Sequence, residues 1–137
     1  MTQMPPISTV LLIDDESFDQ MLYKRVIARS GLVGEAISFY YADEALAYLR
    51  APSRKEIDVI FLDINMPRMN GFEFLDAATA ALGPDFAKVV VVMLTTSLER
   101  RDRDRAMSYP MVRRFINKPL TVAHLTDIAA LLASPSA

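Results

Sequence analysis

Five short apolar runs punctuate the chain, and each is followed by a stretch whose apolar residues recur at helical spacing. Val10 to Ile13 is the first run and ends in Asp14-Asp15-Glu16. Ser17 with Gln20 reads as a capping box, opening a helix with Phe18, Met21, Leu22, Val26 and Ile27 inward and a stop at Gly31. Residues 35 to 41 alternate Ile37, Phe39 and Tyr41 against Ala36, Ser38 and Tyr40, which predicts a half-buried strand. Asp43 then caps a short helix with Ala45, Leu46 and Leu49 inward. Val59 to Leu62 runs unbroken into Asp63 and turns through Asn65, Met66-Pro67 and Asn70-Gly71. Phe72, Phe74, Leu75 and Ala78 mark a third helix, ended by Gly83-Pro84. Lys88 to Leu94 is another apolar strand, stopping at Thr95-Thr96-Ser97. Thr96 with Glu99 suggests a second capping box, for a charged helix offering Leu98, Ala106 and Met107 to a core and broken by Pro110. Val112 to Ile116 is the last strand, followed by Asn117-Lys118-Pro119. Thr121 opens a final helix with Val122, Leu125, Ile128, Ala129 and Leu132 inward.

Strict βα alternation predicts an α/β protein with a parallel sheet and helices on both faces. The first, third and fourth strands are continuous apolar runs, as strands buried on both faces require, while the second and fifth are mixed, as edge strands are. That sorting matches the order 2-1-3-4-5 of the flavodoxin-like (βα)5 doubly wound sheet, whose ligands sit at the carboxyl ends of the strands near the switch between strands 1 and 3. Residues 1 to 8, with Pro5-Pro6, and residues 134 to 137 read as tails.

Composition narrows the function classes. A chain of 137 residues is one domain by size. A net charge of −2 gives no electrostatic capture of nucleic acid or anionic membrane. The absence of cysteine excludes disulfides, thiolate metal sites and thiol catalysis. The N-terminus has no basic segment before an apolar one, and the longest apolar run, Val89 to Leu94, is too short to span a bilayer. A cytoplasmic location is expected.

The residues just after the strands are Asp14-Asp15, Asp63, Thr95 and Lys118, which the proposed order places on one sheet edge. Each has a plainer reading: helix cap or dipole partner for the acidic pair, turn former for Asp63, loop starter for Thr95, solvated lysine for Lys118. Together they make three carboxylates, a hydroxyl and an ammonium. Two carboxylates at ~4 Å repel by about 4 kcal/mol at an effective dielectric near 20, which a divalent cation relieves. Oxygen ligands without His or Cys point to Mg²⁺. Such a cation, Thr95 and Lys118 would cover the equatorial oxygens of a transferring phosphoryl group, with Asp63 as nucleophile.

The stretches VLLIDD, FLDINMPRMNGFEFL, VVMLTT and FINKPLT resemble, in order and spacing, the motifs of the receiver domain of two-component response regulators, over residues 9 to 133. The resemblance implies a single-domain regulator that accepts a phosphoryl group on Asp63 from a sensor histidine kinase or histidine phosphotransfer protein. It would catalyse its own phosphotransfer and dephosphorylation rather than act as an ordinary enzyme. The resemblance assigns Asp15 as a direct Mg²⁺ ligand and Asp14 as a ligand through water. It adds Asp63 and the backbone carbonyl of Asn65 to the metal set. Thr95 and Lys118 become phosphoryl contacts, Thr95 and Phe115 the switch pair, and the Lys118-Pro119 bond is expected to be cis. Thr96 stands where a smaller residue is frequent, and Phe115 lacks the hydroxyl of a switch tyrosine, so switching would work by packing. The ending YPMVRRFINKPLT also resembles regulators paired with phytochrome-type kinases.

Two features stay open. The run of residues 100 to 105 is a solvated helix face or, with Arg113 and Arg114, a homodimer or partner face formed by the fourth helix, fifth strand and fifth helix. His124 reads as a surface residue, and the methionines as packing. The alternative function is a phosphorylation-independent receiver-fold interaction module. A haloacid-dehalogenase-type phosphatase fits less well, since it carries its nucleophile after the first strand. A flavodoxin also fits poorly, since the Asp14-Asp15-Glu16 loop would repel a flavin phosphate.

Overall fold

Val10 to Ile13 forms the carboxyl-terminal part of a longer strand, β1 (Ile7–Ile13), in a computed structural model that describes residues 5–134. The chain continues as α1 (Ser17–Ser30), β2 (Val33–Phe39), α2 (Ala42–Arg50), β3 (Val59–Asp63), α3 (Gly71–Leu82), α4 (Pro84–Ala87), β4 (Val90–Thr95), α5 (Arg100–Met107), β5 (Val112–Asn117) and α6 (Val122–Ala133). The five strands form one parallel sheet in the order β2-β1-β3-β4-β5, as the apolar pattern predicts. Every residue of β3 and β4 is buried, because helices cover both faces, whereas edge strand β2 is at most half-buried. Residues 1–4 and 135–137, parts of the two predicted tails, lie outside the described residues; the expected first tail is shorter than residues 1 to 8, since Ile7 and Ser8 already belong to β1.

Side-chain alternation along the strands divides the core in two. Leu11, Ile13, Ile60, Leu62, Val91 and Met93 face α2, α3 and α5. Val10, Leu12, Val59, Phe61, Val92 and Leu94 face α1 and α6. Full burial of each such side chain contributes about 1.5–3 kcal/mol.

Five local expectations need correction. Neither Ser17 nor Thr96 caps a helix: α1 begins after Glu16 and α5 after Glu99, both without a side-chain cap, and α2 follows Tyr41 rather than Asp43. Phe18 and Met21 are exposed, Phe18 by 62%, because α1 is rotated to bury Gln20 and Tyr23 in their place, beside the expected Ile27. Leu98, 87% exposed, lies outside α5, and Met107 is exposed too, which leaves Ala106 as the buried residue of that helix. Gly83-Pro84 does end α3, at a positive φ of 59°, but Pro84 then starts the one-turn α4, which sinks Phe86 edge-on against Phe74. At the N-terminus of α3 a capping box forms that the pattern did not single out. Asn70 accepts from the Glu73 N–H, and the Glu73 carboxylate accepts from the Asn70 N–H. Thr121 caps α6 as expected, and His124 completes that box, its Nδ1 accepting from the Thr121 N–H.

Candidate functional site

Parallel strands deliver the chain to one edge each time they end, and here that edge collects the chemistry. Asp14 follows β1, Asp63 ends β3, Thr95 ends β4 and Lys118 follows β5. β1 pairs with β3 and β3 with β4, so Asp14, Asp63 and Thr95 come from adjacent strands. Carboxylate oxygens of Asp14, Asp15 and Asp63 lie within 4.8 Å of one another. The Lys118 ammonium lies 2.9 Å from Asp14, 2.8 Å from Asp19 and 3.2 Å from Asp63. Asp14, Asp15, Asp63 and Lys118 therefore meet as predicted from sequence, Asp19 from the first turn of α1 joins them, and Thr95 ends the adjacent strand at the same edge.

The chain enters and leaves the site under tight constraint. After Asp63 it turns through Asn65 to Gly71, where the Gly71 N–H donates to the Ile64 carbonyl. A Cβ at Gly71 would stand 2.6 Å from the Asp63 carbonyl oxygen and 3.1 Å from Ile64 Cα, so only glycine lets α3 begin this close to β3. Arg68 holds a positive φ of 70°, stacks over the Tyr41 ring at 4.0 Å and pairs with Asp43, tying the loop to α2. On the opposite side the Lys118-Pro119 bond is cis, as expected, and the Lys118 N–H donates to the Thr95 carbonyl.

Burial shapes the electrostatics. Asp14 is fully buried, yet its oxygens are well supplied: Oδ1 accepts from the Glu16 N–H, and Oδ2 from the Tyr23 hydroxyl and Lys118. Asp63 has fewer donors. Burial, reinforced by the charge of Asp14 and opposed by Lys118, pushes its carboxyl up to about 7. Burial alone would lower the Lys118 ammonium, but hydrogen bonds to Asp19 and Asp14 hold it above the ordinary lysine range. Burial, then the bond to Asp14, likewise raises the Tyr23 phenol. Thr95 is buried; its Oγ1 accepts from the Ser97 N–H, so its own hydroxyl proton remains to be donated. Phe115 is half-buried, at the margin of the core on the α5 side.

Three residues at this edge escaped the sequence reading. Gln20 is not the partner of a capping box: its amide is buried and donates to the carbonyls of Leu12, Asp14 and Phe39, lashing α1 to the ends of β1 and β2. Tyr23 and Asp19 reach Asp14 and Lys118 from the same helix face. The available signal was spacing: Asp19, Gln20 and Tyr23 share a helix face immediately after an acidic pair.

The arginine-rich face is only partly assembled. Arg105 turns away to stack over Phe72 at 4.2 Å, Arg114 pairs with Asp127 on α6, and Arg101 pairs with Glu99. Among the described residues no helix is long and apolar enough to cross a membrane.

The acidic site is suited to a small divalent cation. It offers oxygen ligands alone, from three carboxylates close enough to share one ion.

The family model for the response regulator receiver domain matches residues 10–130. Response regulator Rcp1 of Synechocystis sp. is 32% identical over 101 residues, which cover 71% of this chain and 67% of Rcp1. The solved Mn²⁺-bound form of response regulator Rcp1 is similar with a TM-score of 0.72 at 26% identity, over 90% of this chain and 88% of that one. A two-component response regulator from Cytophaga hutchinsonii gives a TM-score of 0.85 at 31% identity, covering 92% of this chain and 96% of its own. The phosphorylated cyanobacterial phytochrome response regulator RcpA gives 0.72 at 27% identity, over 88% and 87% of the two chains. Of two longer sensory proteins that it also matches, the chain spans 16% and 10%. Fold, motif order and family match agree, and the chain belongs to the response regulator receiver domain family.

Proposed function

We propose that residues 9 to 133 form a receiver that accepts a phosphoryl group on Asp63 in the presence of Mg²⁺ and presents a changed interaction face in response. The observation that carries this reading is the meeting of Asp14, Asp15 and Asp63 within 4.8 Å, with the Lys118 ammonium against two of them. Asp15, Asp63 and the Asn65 backbone carbonyl would hold the cation. Asp14, its oxygens already accepting from protein donors, would act through water. The ion's chemistry is to neutralise charge on the phosphoryl oxygens.

A lone pair of the Asp63 carboxylate attacks phosphorus in a phosphohistidine of a sensor kinase or histidine phosphotransfer protein. The P–N bond breaks, and the departing imidazole regains a proton. Lys118 steadies the charge on one phosphoryl oxygen, and the Thr95 hydroxyl donates to another. Attack by water on phosphorus later breaks the new O–P bond and restores the carboxylate. The phosphoryl group carries about −1.5 to −2 charges, which draws Thr95 inward and gives Phe115 a reason to repack. The change reaches the face of α5, β5 and α6, where a second copy or an output partner would bind. A cytoplasmic location fits this role.

The test is incubation of the full chain with acetyl phosphate and Mg²⁺, read by intact mass. One added phosphoryl group, absent without Mg²⁺ and absent in Asp63→Asn, is the expected result. An Asp63→Asn variant that gains phosphate at the same rate overturns the assignment. No gain in the wild type supports the phosphorylation-independent module instead.

A further inference from the structure

Lys118 has three N–H bonds and three carboxylate neighbours, and the three neighbours are not equivalent. Asp14 is fully buried and held from behind by Tyr23 and the Glu16 N–H. Asp63 ends a central strand, with its side chain 8% exposed. Asp19 sits in the first turn of α1 with its side chain 24% exposed, and Lys118 is its only side-chain hydrogen-bond partner among the described residues. Asp14 and Asp63 cannot leave the ammonium without stranding a charge in the interior, whereas Asp19 can turn to water.

A phosphoryl group on Asp63 competes for that ammonium. It brings more negative charge than the carboxylate it modifies, and the lysine gains no further donor. Asp19 is then both a rival for Lys118 and a like charge close to the phosphoryl oxygens.

On the reading of Asp63 as the phosphoacceptor, we propose that Asp19 is a positioning residue: it clamps Lys118 in the resting state and is the partner released when a phosphoryl group arrives. The clamp makes the empty site orderly and makes phosphoryl retention weaker than Asp14, Asp63, Thr95 and Lys118 alone would allow. A residue here that merely supported the fold would give the opposite result when removed, because a loosened site binds less well.

The experiment measures affinity for beryllofluoride, a phosphoryl mimic, in Mg²⁺ with the full chain, following the tyrosine fluorescence or amide resonances. Asp19→Asn keeps the shape and removes the charge. The pair lies between exposed ion pairs and fully buried ones in energy, so the expected gain in affinity is about tenfold. Asp19→Glu, which can still reach Lys118, returns the affinity towards that of the wild type. Asn binding equal to or weaker than wild type overturns the proposal, as does a Glu variant that matches Asn rather than Asp. The underlying reading fails separately: a wild-type chain that takes up no beryllofluoride, or an Asp63→Asn variant that binds it equally well, removes Asp63 as the acceptor and the clamp with it.

Discussion

Asp63→Asn should stabilise the protein in the absence of divalent cations, and the gain should depend on pH in a defined way. In the unfolded chain the Asp63 carboxyl ionises near 3.8, while in the folded chain burial and the neighbouring Asp14 hold it protonated to about 7. The folded state therefore binds an extra proton between those values. The part of the stability that depends on Asp63 is complete below about pH 3.8, falls as the pH rises through the interval and levels off above 7. A shift of roughly three units corresponds to about 4 kcal/mol as an upper bound. Asparagine keeps the volume and loses the charge, but its amide must still be desolvated and its attraction to Lys118 is weaker. A gain of about 1–3 kcal/mol at pH 8 is expected, or about 3–10 °C in Tm for a chain of this size. Urea melts of both proteins in chelator, from pH 4.5 to 8, measure it. The difference between variant and wild type should grow from near zero to a plateau. A variant that is no more stable at pH 8, or whose advantage is largest at pH 4.5, would refute the reasoning. Mg²⁺ should narrow the gap by stabilising the wild type selectively, by about 2.7 kcal/mol at a hundredfold excess over Kd.

Three other outcomes follow from the same geometry. Lys118→Met leaves Asp14 and Asp63 buried without their cation and should cost about 3–5 kcal/mol in metal-free melts, partly restored by Mg²⁺. Tyr23→Phe removes a donor from the fully buried Asp14 and should cost about 1.5–3 kcal/mol by the same assay, without filling or emptying the core. Gly71→Ala forces a Cβ against the Asp63 carbonyl and should lose about 1–3 kcal/mol while slowing phosphoryl uptake, read by melts and by intact mass over time.

The architecture was legible because strand burial leaves a strong mark. Val59 to Leu62 and Val89 to Leu94 have no polar residue to spare for a solvent face, and such runs can only be central strands. The strand-end residues were legible for a related reason: topology alone brings Asp14, Asp63 and Thr95 to one edge once the order is known. What hydrophobicity could not supply was the rotation of α1. Helical spacing favours Phe18 and Met21 as inward residues, but the helix turns instead to satisfy three strand-end carbonyls with Gln20 and to bring Tyr23 to Asp14. Polar satisfaction outweighed burial of a phenylalanine, which fits the cost of leaving buried carbonyls and a buried carboxylate unpaired. The expected caps failed on the same ground, since Gln20 is committed to the sheet and Ser97, not Thr96, accepts from the Glu99 N–H.

The claim on which the rest depends is that Asp63 forms the acyl phosphate. Loading the full chain with acetyl phosphate and Mg²⁺, trapping the acyl phosphate by borohydride reduction and sequencing the peptides by mass spectrometry locates the bond directly. The account predicts a reduced side chain at position 63 and at no other carboxylate. Reduction at Asp14, Asp15 or Asp19 with position 63 unmodified would contradict it.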